Sequence, residues 1–309
     1  MLNPTGSFKD RGTVVAVQRA KTSRLRKIGT VSTGNMGAST AAYGARAGIQ
    51  TFVLAKQDTP REKLFAVGVH GTNLIQVKGD YGELFHKSYE IGSRHGIYFM
   101  NSMDPYRIEG YKIIGLEIYE QLRPHLPHYI FAPVSSGGHL IGLMKAFIEL
   151  EQAGIIPSLP VFMGVQAQGC SPIAQAFSSG RPRVRRVAAP GSVAQSINNP
   201  SPPGGNLLLR MLREHNGAVI SVTDEEILTA QRILAREEGL FCLPASATVL
   251  AAMLKLQGEG RFRPNDRIVL VITGSGIKNI QVVERQSLGM HSATLASLDT
   301  LIASLLSAT

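Results

Sequence analysis

The sequence predicts an α/β fold made of two doubly wound parallel-sheet domains, with a ligand cleft between them. Three observations carry this expectation. Short β-branched or apolar runs alternate with longer helical patterns over almost the whole chain. The alternation starts afresh after a long helical stretch in the middle, and no internal repeat accompanies it. Several apolar runs end in Gly-, Ser- and Thr-rich turns, and strand ends of this kind are where parallel sheets bind ligands.

Each element follows from its pattern. "GTVVAVQRA" reads as a helix despite its valines, because its apolar positions recur at helical spacing. "KIGTVS" is a strand that runs into "TGNMGASTAAYGARAG", a helix whose small residues allow close packing. "QTFVLAK" is a buried strand, and "PREKLFAVGVHG" is a helix with a glycine stop. "TNLIQVKG" and "YGELFHKSYEIGSRHG" repeat the strand–helix unit, and "GIYFMNS" closes the series.

The helix "IEGYKIIGLEIYEQL" precedes the second series. There, "HYIFAPVS" is a strand followed by a glycine turn and the helix "LIGLMKAFIELEQAG". "LPVFMGVQAQG" is a further strand, and "GAVISVTDEEILTAQRILAREEG" is a strand plus a helix capped through Thr223 and Asp224. "ATVLAAMLKLQGEG" is helical and "RIVLVITGSG" is the last buried strand. Residues 181–205, rich in Pro, Ser, Asn and Gly, read as a long loop of the functional or mobile kind. The expected division is a smaller domain over 1–115, a larger one over 116–290, and an amphipathic helical tail over 291–309.

A chain of 309 residues can support two such cores, and 44% apolar with 17% charged residues is ordinary for a globular protein. Cys170 and Cys242 lie far apart without metal spacing, which argues against a disulfide framework or a metal site and for a reducing cytoplasm. No apolar run has the length of a membrane span, and the N-terminus does not read as a signal peptide. The net charge of +10 raises the question of nucleic acid. Its densest basic run, "RPRVRR" from Arg181 to Arg186, has neither interleaved aromatics nor a binding motif and reads as a solvated loop. The expected partners are therefore small anionic molecules, with neither nucleic acid nor membrane involved.

Three turns stand out chemically. "PVSSGGHLIG" places Ser135, Ser136, Gly137, Gly138 and His139 between a strand and a helix start, where freed backbone amides favour a phosphate. The spacing is neither GxGxxG nor a Walker loop, so no dinucleotide or nucleoside triphosphate is indicated. "VSTGNMGAST" offers Ser32, Thr33 and Asn35 at a second strand-to-helix turn, to bind a carboxylate or to cap the helix. "VITGSGIK" ends the last strand with Thr273 and Ser275 within reach of a bound heteroaromatic ring. Lys9, in "NPTGSFKDRG", sits at a loop-to-helix junction, where a lysine beside a phosphate site can form a Schiff base with pyridoxal phosphate.

In combination, "NPTGSFKDRG", "STGNMGAS", "NSMDPYRIEGYK", "PVSSGGHLIG", "PASA" and "TGSGIK" follow the order found in threonine synthases, and the chain resembles that family from residue 3 to about 280. These are fold-type-II pyridoxal-phosphate enzymes, related to the tryptophan synthase β chain. The resemblance implies pyridoxal 5'-phosphate as cofactor, held covalently by Lys9 in the cleft between the two domains. It implies that Asn35 bonds the ring oxygen and that the Ser135–His139 turn cradles the cofactor phosphate. Thr273 or Ser275 would face the pyridine nitrogen, and a hydroxyl there leaves that nitrogen largely unprotonated. Ser32 and Thr33 would hold the substrate carboxylate, while Asn101, Ser102 and Arg107 would bind the substrate phosphate, which the planar fork of Arg107 suits.

The implied reaction is γ-elimination of phosphate from O-phospho-L-homoserine followed by β-addition of water, giving L-threonine. The implied assembly is a homodimer. Alternatives are a serine or threonine dehydratase, an enzyme that replaces the phosphate of O-phosphoserine, or a shortened non-catalytic homologue. The chain departs from the family at three places: Met36 stands where Thr is frequent, Leu243 stands where Glu is frequent, and the lysine motif comes tens of residues earlier than in the family. The early motif implies either a recorded start that is too late or a larger domain with an open sheet edge.

Overall fold

The structure, a computed structural model, describes residues 2–32, 34–284 and 290–307. Its first series of elements is α1 (Lys9–Thr22), β1 (Lys27–Val31), α2 (Asn35–Ala47), β2 (Gln50–Lys56), α3 (Arg61–Gly68), β3 (Asn73–Val77), α4 (Tyr81–His95), β4 (Tyr98–Phe99) and α5 (Pro105–Leu122). The second is β5 (Tyr129–Pro133), α6 (Gly138–Gln152), β6 (Val161–Ala167), α7 (Pro172–Ser178), α8 (Gly205–Glu214), β7 (Ala218–Val222), α9 (Asp224–Glu237), α10 (Pro244–Gly258) and β8 (Ile268–Leu270). The two series form two four-stranded sheets, ordered β3-β2-β1-β4 and β7-β6-β5-β8, and every pairing is parallel. These are the two α/β parallel-sheet domains that the alternation predicts.

Parallel strands covered on both faces must be apolar on both faces. Strand β5 shows how this is met. Phe131 faces a core shared with Val165, Val222, Ile227 of α9 and Val249 of α10. Its neighbours Ile130 and Ala132 face the opposite core, with Leu140 and Phe147 of α6 and Leu208 of α8. The first sheet repeats the device on a smaller scale. Val53 packs with Ala38, Ala41 and Val67, whereas Leu54 packs with Val31, Leu84 and Phe99.

Helix α5 joins the two halves, running unbroken through residue 115 between α1 and α6. The approach is close because of Gly110: a Cβ there would lie 2.2 Å from the Arg11 carbonyl oxygen of α1. α5 begins three residues earlier than its apolar pattern suggests, at Pro105, with the Asp104 carboxylate accepting from the Arg107 N–H at 3.1 Å.

The cap of α9 differs in detail from the expectation. Thr223 and Glu226 form the reciprocal capping box. Asp224 instead accepts from Ser192 Oγ at 2.6 Å and Val193 N at 3.0 Å, fastening the 181–205 loop. Helices α7 and α8 flank that loop and were not expected from the sequence. Residues 2–278 belong to one compact unit, and residues from Asn279 onward form a second. The second unit contains α11 (Gln281–Glu284) and α12 (Leu298–Ser307), the latter where the tail helix is expected. Among the described residues, no helix is long and apolar enough to cross a membrane.

Candidate active site

In a doubly wound sheet the ligand crevice opens where strand order reverses, beyond the strands' carboxyl ends. Here the reversals fall between β1 and β4 and between β5 and β8. The segments that follow these four strands carry Asn35, Ser102, Ser135–Gly138 and Thr273, and all of them line one cleft together with Lys9. Two switch points thus open onto a single lysine.

Lys9 is placed by the segment before it. The buried Asp10 carboxylate accepts from Thr5 N at 2.8 Å and Thr5 Oγ1 at 2.7 Å, which folds the Asn3–Ser7 turn onto the start of α1. That turn is strapped to the end of the last strand: Phe8 N donates to Thr273 O at 2.8 Å, and Ser275 N donates to Gly6 O at 2.9 Å. Lys9 Nζ lies 4.5 Å from the Phe8 ring centre and 5.8 Å from that of Tyr111. Burial pulls the Lys9 pKa below the usual lysine value, and the Arg107 charge pulls the same way. The neighbouring Tyr111 hydroxyl opposes the shift while making no hydrogen bond of ordinary geometry.

Opposite the lysine, the turn from Ser135 to Gly138 leads into α6, whose first amides have no intrahelical partner. Gly137 adopts φ +98°, a conformation side-chain-bearing residues rarely take, and a Cβ on Gly138 would lie 2.7 Å from Ser102 O. The turn is backed by the 181–205 loop, since Gly204 N donates to Ser136 O at 2.9 Å and Asn199 Nδ2 to Ser136 Oγ at 3.0 Å. His139 stacks on Phe8 at 4.1 Å, and burial, aided by the Lys9 charge, pushes its pKa down to about 3. Its imidazole is therefore neutral at physiological pH.

The other expected residues divide. Thr273 lines the cleft, whereas Ser275 is not among its walls. Ser102 lines it, but Asn101 does not: the fully buried Asn101 amide accepts from Val31 N at 2.9 Å and donates to Ser88 Oγ at 3.0 Å. Arg107 is also turned away from the walls. Its guanidinium is 0% exposed and donates to Met100 O at 2.6 Å, Thr13 Oγ1 at 2.7 Å and Thr40 Oγ1 at 2.6 Å. Asn101 and Arg107, expected with Ser102 at the substrate phosphate, thus have several of their donors engaged in joining elements. Ser32 Oγ accepts from Gly34 N at 3.3 Å and is not a cleft wall, and Thr33 lies outside the described residues.

Sequence reasoning missed Phe8, Tyr111, Ser196 and Ile197, which complete the walls. Phe8 adjoins Lys9 and could have been marked by adjacency, but the other three come from a helix face and a distant loop. Leu243 lines the cleft, whereas Met36 is buried in α2 away from it. The residues present fit pyridoxal phosphate. A glycine cradle faces an amine, and among the described residues Tyr111 Oη and both His139 ring nitrogens are buried polar atoms without a hydrogen-bond partner of ordinary geometry.

The family model for pyridoxal-phosphate-dependent enzymes matches residues 1–274. Threonine synthase of Methanocaldococcus jannaschii is 38% identical over 286 residues, covering 92% of this chain and 71% of the relative. The chain belongs to the threonine synthase family of pyridoxal-phosphate-dependent enzymes. Threonine synthase of Methanosarcina acetivorans is likewise 38% identical, over 91% of this chain and 70% of the relative. The fold is also that of the processed form of a threonine deaminase from Solanum lycopersicum, with TM-score 0.77 and 20% identity over 93% of this chain and 81% of the other.

Proposed function

We propose that this chain converts O-phospho-L-homoserine and water into L-threonine and phosphate, with pyridoxal 5'-phosphate bound covalently at Lys9. The observation that carries the proposal is the meeting of Lys9 with the Ser135–Gly138 cradle where both sheets reverse strand order. The cradle would hold the cofactor phosphate, Asn35 its ring oxygen and Thr273 its ring nitrogen. When bound, the cofactor supplies an electron sink for charge that develops on the substrate carbon skeleton.

The rest falls to the protein. A lysine whose proton is loosely held is suited to general acid–base work near neutral pH. Lys9 takes protons from substrate Cα and Cβ. The Cγ–O bond breaks with its electron pair leaving on phosphate, and Cγ gains the proton that Cβ lost. Water delivers hydroxyl to Cβ, the amine returns a proton to Cα, and the proton left by water ends on the released phosphate. Ser32 and Thr33 would orient the substrate carboxylate, and Ser102 would meet the phosphate. Asn101 and Arg107 support that end from behind, Arg107 as a fixed positive charge. The neutral His139 and the ring of Phe8 keep water from the amine on one side.

A second reading, a dehydratase that acts on an unphosphorylated hydroxy amino acid, is favoured by the engagement of Asn101 and Arg107 away from the cleft. Parallel assays decide. Phosphate and threonine formed in equal amounts from O-phosphohomoserine support the synthase, whereas 2-oxo acid from serine or threonine without such phosphate release supports the dehydratase. The same proposal takes the domain division near residue 115, with α5 as the joining helix, a second division near 290, a homodimeric assembly and a cytoplasmic setting. The two free, buried cysteines suit a reducing compartment.

A further inference from the structure

Ser246, in the first turn of α10, is fully buried and lies directly behind Thr273. Its hydroxyl has one proton to give and two lone pairs to receive with. Thr273 N donates to Ser246 Oγ at 3.2 Å and Gly274 N donates at 3.0 Å, which fills both lone pairs. The Ser246 proton must then be given away. Thr273 Oγ1 stands 2.8 Å from Ser246 Oγ, whereas the other acceptor, Gly274 O, is at 3.5 Å. Ser246 is therefore the donor of the pair and Thr273 Oγ1 the acceptor. Accepting from Ser246 leaves the Thr273 hydroxyl its own proton and one lone pair; among the described residues that proton has no other acceptor, and Thr273 lines the cleft.

We propose that Ser246 is a positioning residue that biases the polarity of Thr273, so that Thr273 presents a hydrogen-bond donor to the cleft and favours an unprotonated ring nitrogen on the cofactor. This rests on the reading that Thr273 faces that nitrogen. A threonine hydroxyl free to rotate could serve a protonated or an unprotonated nitrogen equally, because it can accept as well as donate. Ser246 restricts that freedom by occupying one lone pair and leaving the cleft as the place where the Thr273 proton is paired, and the state of the ring nitrogen sets how strongly the cofactor withdraws electrons.

The test uses holoenzyme loaded with pyridoxal phosphate carrying nitrogen-15 in its ring, read by nitrogen NMR from mildly alkaline to mildly acid pH. In the unmodified protein the ring resonance stays at the unprotonated position throughout. In Ser246→Ala it moves toward the protonated position as pH falls, and Ser246→Thr, which keeps the hydroxyl, restores the original behaviour. Ser246→Cys, near serine in size but a weak hydrogen-bonding partner, makes the same test if the alanine chain does not fold. A merely structural role lowers the unfolding temperature of these variants and leaves the resonance unmoved, which overturns the proposal. Thr273→Val separates the two levels. If it leaves the resonance unchanged, the placement of Thr273 at the ring nitrogen is wrong. If it moves the resonance while Ser246→Ala and Ser246→Cys do not, only the role of Ser246 falls.

Discussion

Arg107 Nη1 donates to Thr13 Oγ1 across 2.7 Å, tying α5 to α1 one turn beyond Lys9. The same guanidinium reaches Thr40 of α2 and the carbonyl of Met100, so one fully buried cation gathers the elements around the cleft. Its side-chain partners are hydroxyls and a carbonyl, whose geometry matches the planar fork. Arg107→Lys keeps the charge but cannot reach three acceptors in three directions. We expect a loss of about 2–4 kcal/mol in unfolding free energy, as for a buried charge left short of partners. Urea unfolding with unchanged stability would show that lysine satisfies the same site.

Lys9→Ala removes the amine that adjoins Phe8 and Tyr111. The variant should fold, because among the described residues Lys9 Nζ makes no hydrogen bond of ordinary geometry to another element, whereas Asp10 beside it fastens the Asn3–Ser7 turn. Purified with pyridoxal phosphate, it should lack the visible absorbance of the lysine-bound cofactor, and turnover should fall by at least about a thousandfold. Retained colour and turnover would move the attachment point to another lysine.

The sheets were legible because their strands are apolar on both faces and so appear as uninterrupted runs; Ile130 and Phe131 serve opposite cores yet read as one signal. That Lys9 and the Ser135–Gly138 turn would share one cleft was legible because each sits in a contiguous motif. Helices α7 and α8 were hidden by neighbouring Pro, Ser and Gly residues that read as loop. The engagement of Arg107 was hidden too, since Thr13 and Thr40 lie 94 and 67 residues away in sequence and nothing in their identity marks them as its acceptors. Ser196 and Ile197 reach the cleft through a loop whose anchors, Asp224 and Ser136, become neighbours only on folding.

Gly138→Ala tests the cradle. The added methyl would lie 2.7 Å from the Ser102 carbonyl oxygen, a backbone atom that cannot rotate aside. The turn and the Ser102 segment must separate, which moves the α6 amides from the phosphate position. Cofactor affinity should fall about tenfold or more, with a stability cost of about 1–3 kcal/mol in the cofactor-free chain. Titration of the apo-protein with pyridoxal phosphate, followed by its visible absorbance, reads the first quantity and thermal unfolding the second. Unaltered affinity would place the phosphate elsewhere.

His139 provides a prediction about pH. Above its ordinary value of 6.5 both folded and unfolded chains carry a neutral imidazole, so this residue adds no pH dependence there. Between 6.5 and about 3 the unfolded chain binds a proton that the folded chain refuses, because burial and the adjacent Lys9 disfavour the imidazolium. Stability must then fall as pH drops through this window. The gap corresponds to at most about 5 kcal/mol, most of it lost below pH ~5. His139→Leu removes the titration and keeps an apolar partner for Phe8, 4.1 Å away in the native pair. Urea unfolding of the cofactor-free proteins at neutral pH and at about pH 5 should therefore show a shallower acid loss in the variant, by roughly 2 kcal/mol. Equal losses in both would mean that the imidazole is already solvated in the folded chain and that other groups set its acid limit.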